Sequence, residues 1–351
     1  MTTDGRSPEE IAQEVEEQRG ITDAPVPEVP GPEREHPDPA TKRGKLVENV
    51  RDALAALPAH FASRTFIEGL EAGDLFSLNS MLGGSIEIQV VQTLNRLRAV
   101  WDPDEEWEEY SFVRSAQTFP DVRLATSSPG RIAAGEAVGL GLELKGWYLL
   151  SREGEPSFRY TVSRDACDVH DLLVVVPWHL SNVLAGDPVV YAPYVESARY
   201  AADMRNHYWS VERRESDERK AAQAVEQGKK PKKLPDDYYD IRSPQGLSPY
   251  PAPKTKTADV AAHDGGSNFG RVARASGLMD DYVEESLRAR VAGIEARHWV
   301  AFFKAYAEGA QKGELHDRIM RQIARQRQDQ NLDSDDIAVL LREWVNRLPG
   351  S

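Results

Sequence analysis

The chain has 351 residues, of which 40% are hydrophobic and 28% are charged, and its formal net charge is −14. This length predicts about two domains and enough apolar material for a sizeable core. The acidic balance argues against a protein that coats nucleic acid through bulk positive charge, but it is compatible with DNA binding through a local basic surface.

Cys167 is the single cysteine, so neither a disulfide framework nor a thiolate zinc site is expected. We interpret it as a small buried hydrophobe rather than a nucleophile, although Asp168 and His170 are near it in the sequence. Asp171, just before an apolar run, is interpreted as a turn or strand-start residue. The sequence has no apolar stretch of about 20 residues and no signal-peptide pattern, which predicts a soluble, cytoplasmic protein.

The chain opens with a segment, residues 1–43, that is rich in Pro and Glu, and "PVPEVPGPEREHPDP" is typical of it. Such a composition buries too little apolar surface to offset its conformational entropy, which predicts a disordered acidic tail. Apolar residues then recur at helical spacing and predict helices over residues 46–57, 66–82 and 85–100. In the third helix the apolar face consists of Ile86, Val90, Leu94 and Leu97.

Strand patterns follow, separated by Gly, Pro, Ser and Asp clusters. Strands are predicted over residues 110–119, 121–126, 137–150, 158–162 and 171–178, and then a further strand leads into a helix that ends near residue 209. The continuous apolar run "DLLVVVPWHL" is typical of a strand that is buried on both faces. The order predicts a mixed α/β core over residues 44–210.

The remainder of the chain differs in composition. Residues 211–266 are charged and then Pro-rich, which predicts a linker or a solvated helix followed by a loop. Residues 267–351 return to helical spacing and predict a helical C-terminal domain of about four helices.

The stretch "GLGLELKGWYLL" contains two charges within an apolar run. Residues two apart in a strand share a face, so Glu143 and Lys145 are expected to point together, with Gly139 and Gly141 leaving that face open to a ligand. If the strand that begins near Asp121 pairs with this one, the two carboxylates converge. Two carboxylates with room for water and phosphate oxygens suit Mg²⁺, and the lysine can orient the attacking water.

Pro120–Asp121 followed by Glu143–Leu144–Lys145 resembles the PD-(D/E)xK motif of the restriction-endonuclease-like nuclease superfamily. The resemblance covers about residues 80–210 and implies a mixed β-sheet flanked by helices that hydrolyses DNA phosphodiester bonds. It implies that Asp121 and Glu143 hold one or two Mg²⁺ ions and that Lys145 acts on the nucleophilic water. Many members carry a further glutamate on the preceding helix, and Glu87 matches that position as a third metal ligand.

A second ExK string, Glu218–Arg219–Lys220, lies in a polar charge run and matches no strand. Glu143 and Lys145 instead interrupt apolar residues, after a helix and before a buried strand, and this context favours the nuclease hypothesis. The alternative is that the two charges form an exposed ion pair on an edge strand, which would contribute little.

Three groups of basic residues are candidates for contact with double-stranded DNA. They are Arg199 and Arg205 on the helix after the core strands, the lysine cluster Lys229, Lys230, Lys232 and Lys233, and Arg271 and Arg274 in a helix-turn-helix-like outline. The alternatives are an amphipathic helix with snorkelling arginines, a solvated loop and a packing helical bundle.

We therefore expect a Mg²⁺-dependent endodeoxyribonuclease of the type II restriction class. It would act as a homodimer, because double-strand cleavage needs two active sites, and a partner methyltransferase is possible. The alternatives are a non-catalytic DNA- or protein-binding scaffold and a non-specific repair nuclease of the same fold.

Overall fold

The computed structural model describes residues 31–68, 75–115, 118–231, 239 and 270–307. Within these residues the protein is a mixed α/β structure, in which one mixed β-sheet is covered by helices, as the sequence predicts. No helix in the described part of the chain is long and apolar enough to cross a membrane.

Among the residues that the structure describes, four helices precede the sheet: α1 (Lys42–Ala55), α2 (Leu57–His60), α3 (Leu75–Arg96) and α4 (Arg98–Trp101). Helix α1 begins where the Thr41 side chain accepts a hydrogen bond from the Gly44 N–H, which satisfies one of the free N–H groups of the first turn. Its apolar side, including Leu46, Val50 and Leu54, is buried. The helix predicted over residues 46–57 is thereby confirmed.

Helix α3 carries the predicted apolar stripe, and Ile86, Val90 and Leu94 are all buried against the sheet. The second and third predicted helices are not separate, because the residues from Leu75 onward continue into α3. The helix predicted over residues 66–82 is wrong for residues 66–68, which are not helical. Residues 69–74 of this prediction lie outside the described residues.

The described sheet has six strands: β1 (Ser111–Arg114), β2 (Val122–Ala125), β3 (Val138–Tyr148), β4 (Leu172–Asn182), β5 (Ala185–Val190) and β6 (Tyr194–Ser197). The first three strands form an antiparallel meander, with α5 (Pro129–Ala133) between β2 and β3. Strand β4 runs parallel to β3, and β5 and β6 both pair antiparallel with β4. Strand β3 therefore lies between β2 and β4 in the centre of the sheet.

Strand β4 is buried along its first nine residues, so both of its faces are covered. This confirms the prediction drawn from its continuous apolar run. Each fully buried valine contributes roughly 1.5–3 kcal/mol, which makes β4 a main source of stability for the core.

The connection between β3 and β4 contains a 3₁₀ turn at Arg164–Ala166. The strand predicted over residues 158–162 is wrong, because this segment pairs with no strand in the described part of the chain. Hydrogen bonds from Tyr160 fix this segment instead. The Tyr160 N–H donates to the Gly270 carbonyl at 2.7 Å, and the Tyr160 hydroxyl donates to the Ala198 carbonyl at 2.8 Å.

After β6 the chain forms α6 (Ala198–His207), a π-helical turn (Tyr208–Arg213) and α7 (Arg214–Glu226). Helix α7 buries none of its residues, which agrees with the predicted solvated helix.

The described C-terminal residues contain a 3₁₀ turn at Val272–Arg274, α8 (Asp280–Ser286), β7 (Arg290–Val291), β8 (Ile294–Glu295) and α9 (Ala296–Ala307). The helix-turn-helix outline is wrong, because its first helix is a single 3₁₀ turn. The β7–β8 hairpin was not predicted. Residues 308–351, which hold the rest of the predicted helical domain, lie outside the described residues.

Residues 31–41 belong to the predicted disordered tail, but two of them, Arg34 and Glu35, contact β6, α6 and the 3₁₀ turn at Arg164–Ala166. The Arg34 guanidinium contacts Glu196 at 3.1 Å and lies over the Tyr200 ring, while the Glu35 carboxylate bonds to Arg164 and Arg199. These ion pairs join residues more than a hundred positions apart, which composition alone does not reveal. The prediction of disorder is therefore wrong for this part of the tail, and residues 1–30 lie outside the described residues.

Candidate active site

Strands β2 and β3 bring the two predicted carboxylates together. Val122 pairs with Leu142 in the antiparallel register, so the preceding residue, Asp121, lies opposite Glu143. The Asp121 N–H donates to Glu143 Oε2 at 3.3 Å. The predicted pairing of these strands is confirmed.

The Lys145 ammonium lies between the two carboxylates. Its Nζ is 2.7 Å from Asp121 Oδ2 and 2.8 Å from Glu143 Oε1. Leu142 and Leu144, which alternate with the charged residues, are buried in the core. The structure thus joins Asp121, Glu143 and Lys145 in one cluster, which we call the acid–lysine cluster.

The cluster lies where β3 continues past its antiparallel neighbour. The β2–β3 pairing extends from Val138 to Leu142, and within the described sheet the rest of β3 is paired with β4 alone. Strand β1 ends close by at Arg114. The side chains of Asp121 and Lys145 consequently keep 21% and 14% of their surface exposed, whereas that of Glu143 keeps 1%.

The charge balance of the cluster determines the ionisation of its lysine. Burial lowers the pKa of Lys145, but the negative charges of Glu143 and Asp121 outweigh burial and raise the pKa above its ordinary value. The side chain is therefore an ammonium at neutral pH. In this state it can donate hydrogen bonds and stabilise negative charge.

Glu87 approaches from α3 with a partly buried side chain. Its Oε2 is 3.6 Å from an Arg114 nitrogen. Burial raises the pKa of Glu87, and the positive charge of Lys145 opposes that shift, so the carboxylate lies within electrostatic range of the cluster.

In the described part of the chain no three His, Cys, Asp or Glu side chains form a group that could hold a metal ion. The structure therefore does not assemble Glu87 with Asp121 and Glu143 as the three-carboxylate ligand set that the resemblance implies. The pair Asp121 and Glu143 nevertheless fits Mg²⁺ in its donor chemistry, since this ion is usually bound by one or two carboxylates and several waters.

The predicted open face beside the two glycines is wrong. A Cβ atom on Gly141 would lie 2.3 Å from the Pro120 ring and 2.7 Å from an Asp171 carboxylate oxygen, so neighbouring groups already fill that space. Next to Gly139 the space is occupied by Trp107 and Leu46. Glycine at 141 allows Pro120, and with it Asp121, to pack closely on β3.

Asp171 supports this packing from the start of β4. Its carboxylate accepts hydrogen bonds from the Gly141 and Asp168 N–H groups, both at 2.8 Å, as a strand-start residue does. Burial raises the pKa of Asp171 from 3.8 to about 6.

His170 bonds to the Asp168 carboxylate at 2.6 Å. Cys167 is buried, and burial raises the pKa of its thiol to about 12, which leaves it unreactive.

The two arginines of α6 that were predicted to contact DNA are engaged inside the protein. Arg205 is 2% exposed, and its guanidinium donates to the carbonyls of Tyr160 and Val162. It cannot reach a phosphate in this structure, so the DNA-contact prediction is wrong for Arg205. Arg199 is bonded to the Glu35 carboxylate at 2.8 Å and to the Cys167 carbonyl.

The other residues predicted to contact DNA are far from the acid–lysine cluster in the sequence. Lys229 and Lys230 are exposed just after α7, whereas Lys232 and Lys233 lie outside the described residues. Arg271 donates to the Ser157 carbonyl at 3.0 Å, and Arg274 forms an ion pair with Glu155 at 2.8 Å. The last two side chains thus tie the C-terminal segment to the β3–β4 connection.

Two arginines outside the predicted set are near Asp121: Arg114 ends β1, and Arg123 lies in β2 two residues after Asp121. Arg123 could have been found from the sequence, because it is two residues beyond Asp121 in a strand and so shares its face. Arg114 had no local signal, since its position depends on the pairing of β1 with β2.

Comparison of this chain with family models, with curated proteins and with solved structures finds no match.

Proposed function

We propose that the protein is a Mg²⁺-dependent endodeoxyribonuclease with a restriction-endonuclease-like fold. The observation that carries the proposal is the acid–lysine cluster, in which one ammonium lies within 2.8 Å of two carboxylates, one just before β2 and one on β3. The sheet agrees with this reading, because a central β3 with an antiparallel and a parallel neighbour is flanked by helices. We further propose the type II restriction class, in which a homodimer cuts both strands of DNA.

Asp121 and Glu143 would hold the Mg²⁺ ion. When bound, the ion would lower the pKa of a water molecule and neutralise charge on the phosphate. Lys145 would donate a hydrogen bond to the attacking water and stabilise negative charge that develops on the phosphate oxygens. We assign the lysine this electrostatic role because its ammonium lies within hydrogen-bond distance of both carboxylates.

A second candidate function follows from the burial of Glu143. Its side chain is 1% exposed and already accepts hydrogen bonds from Lys145 and from the Asp121 backbone. A non-catalytic DNA- or protein-binding scaffold could use the same cluster only to join β2 to β3.

Cleavage assays with active-site variants distinguish the two functions. Purified protein is incubated with plasmid and phage DNA in Mg²⁺ and in EDTA, beside Asp121→Asn, Glu143→Gln and Lys145→Ala. We expect cleavage that requires Mg²⁺ and falls by roughly 100-fold or more in each variant, which is typical of the loss of one group that stabilises the transition state.

Lys220→Ala is a matched control, because Lys220 ends the second ExK string and its side chain on α7 is 69% exposed. This variant should cut like the wild type. Intact DNA on every substrate, or unchanged cleavage by Asp121→Asn and Lys145→Ala, would contradict the proposal. Discrete bands would indicate a sequence-specific enzyme, and a smear would indicate a non-specific repair nuclease.

A further inference from the structure

We propose that Arg114 and Arg123 bind the DNA backbone on either side of Asp121 and bring the scissile phosphate to the acid–lysine cluster. This inference rests on the proposed function and assigns the substrate contacts to residues outside the PD-(D/E)xK motif. Both arginines lie near the end of the β1–β2 pair at which the pairing of β3 with β2 stops.

Arg123 shares a face of β2 with Asp121. The burial pattern of this strand alternates, with Val122 and Leu124 buried and Arg123 partly exposed between them. The two residues are therefore separated by roughly 7 Å along one face. The Arg123 guanidinium is directed back toward the active site, because its Nη2 donates to the Phe119 carbonyl at 3.4 Å.

Arg114 approaches Asp121 from the other face of the sheet. It pairs with Val122 across β1 and β2, and paired residues point to the same side. Its position is fixed by the next residue, because the Ser115 N–H donates to the Asp121 carbonyl at 2.7 Å. The side chain remains 45% exposed and contacts Glu87 at 3.6 Å, longer than a normal hydrogen bond.

Charge explains why a substrate needs these two groups. Asp121, Glu143 and Glu87 are acidic, and Lys145 contributes one positive charge to the cluster. Before a Mg²⁺ ion is bound, Glu87 and the cluster together would repel a phosphodiester. Two guanidinium groups offset this repulsion, and each can bind two phosphate oxygens through parallel N–H groups.

The arginines predicted from the sequence are less suited to this task. Arg199 is bonded to Glu35 and Arg274 to Glu155, and Arg205 is buried among carbonyl groups. A phosphate would have to displace an internal carboxylate to reach Arg199 or Arg274. The distance from Arg114 to Glu87 is 3.6 Å, longer than the 2.8 Å from Arg199 to Glu35. Arg114 is also more exposed than Arg199.

The test measures binding of a short fluorescein-labelled DNA duplex by anisotropy, as a function of KCl concentration. Ca²⁺ replaces Mg²⁺, because both ions take oxygen ligands. Each of Arg114→Ala and Arg123→Ala should weaken binding and reduce the slope of log K against log salt by about 0.9, the value for one lost phosphate contact. The lysine substitutions Arg114→Lys and Arg123→Lys should keep the salt slope, because they keep the charge.

Arg199→Ala and Arg274→Ala are matched controls that also remove one positive charge and should leave the slope unchanged. The inference is overturned if the Arg114 and Arg123 alanine variants bind with the affinity and slope of the wild type while the wild type still cleaves DNA. If the wild type neither binds nor cleaves DNA, the proposed nuclease function itself fails. Thermal melts of all variants, together with the lysine substitutions, separate a lost contact from a lost fold.

Discussion

Replacing Lys145 by methionine tests the electrostatic reasoning most directly. The substitution keeps an unbranched side chain of similar length and removes the ammonium that lies 2.7 Å from Asp121 and 2.8 Å from Glu143. Removal of one partner from a buried ion pair costs about 3–5 kcal/mol, because an uncompensated charge remains. Most of this cost should come from Glu143, whose side chain is 1% exposed, rather than from Asp121.

The loss should be measured as the free energy of unfolding in urea at neutral pH in EDTA. We expect Lys145→Met to be about 3–5 kcal/mol less stable than the wild type. The double variant Glu143→Gln/Lys145→Met should recover part of this loss, because it removes the buried charge together with its partner. Lys220→Met on the exposed surface of α7 should change stability by less than about 1 kcal/mol.

Addition of Mg²⁺ extends the same experiment to the metal site. The substitution removes the positive charge that lies between Asp121 and Glu143, so Mg²⁺ should stabilise Lys145→Met more than it stabilises the wild type. A ligand at about 100 times its Kd contributes about 2.7 kcal/mol. If Lys145→Met is as stable as the wild type in EDTA, or if Mg²⁺ stabilises both equally, the assignment of the cluster is wrong.

Two further predictions concern the groups that hold the site together. Burial raises the pKa of Asp171 from 3.8 to about 6, so between these values the native state keeps a proton that the unfolded state has released. Stability should therefore fall as the pH rises from about 4 to about 6, by at most about 3 kcal/mol at about 1.4 kcal/mol per pKa unit, and Asp171→Asn should abolish this slope in urea titrations. In Gly141→Ala the new Cβ would lie 2.3 Å from the Pro120 ring, which should cost about 1–3 kcal/mol and displace Asp121 enough to reduce cleavage. Gly139→Ala, whose nearest neighbour is the Trp107 ring at 3.0 Å, should lose less, and equal stability of the two glycine variants would count against this packing argument.

Those features of the fold that depend on local periodicity could be predicted from the sequence. The alternation of charged and apolar residues around Glu143 and Lys145 requires a strand with both charges on one face, and the strand beginning at Val122 pairs with it as predicted. The continuous apolar run of β4 is buried on both faces for the same reason, because a strand exposes alternate residues to opposite sides.

Contacts between distant parts of the chain were decided only by the tertiary structure. Arginine is usually a surface residue, yet Arg205 is buried and donates to the carbonyls of Tyr160 and Val162. These partners are more than forty positions away in the sequence. Glu35 belongs to a segment whose composition predicts disorder, yet Arg164 and Arg199 bind it to the core. Sequence periodicity reports which face of an element is buried, but it does not report which distant group that face will meet.

The same distinction applies within the candidate site. Strand geometry in the sequence determined that Glu143 and Lys145 point together, whereas the register of β2 against β3 decided that Asp121 meets them. The space beside Gly141 was predicted to be open, but Pro120 and Asp171 fill it, because the β2–β3 and β3–β4 pairings bring both residues to that point. Register is a property of paired strands, and for this reason the sequence alone could propose the acid–lysine cluster but could not determine its neighbours.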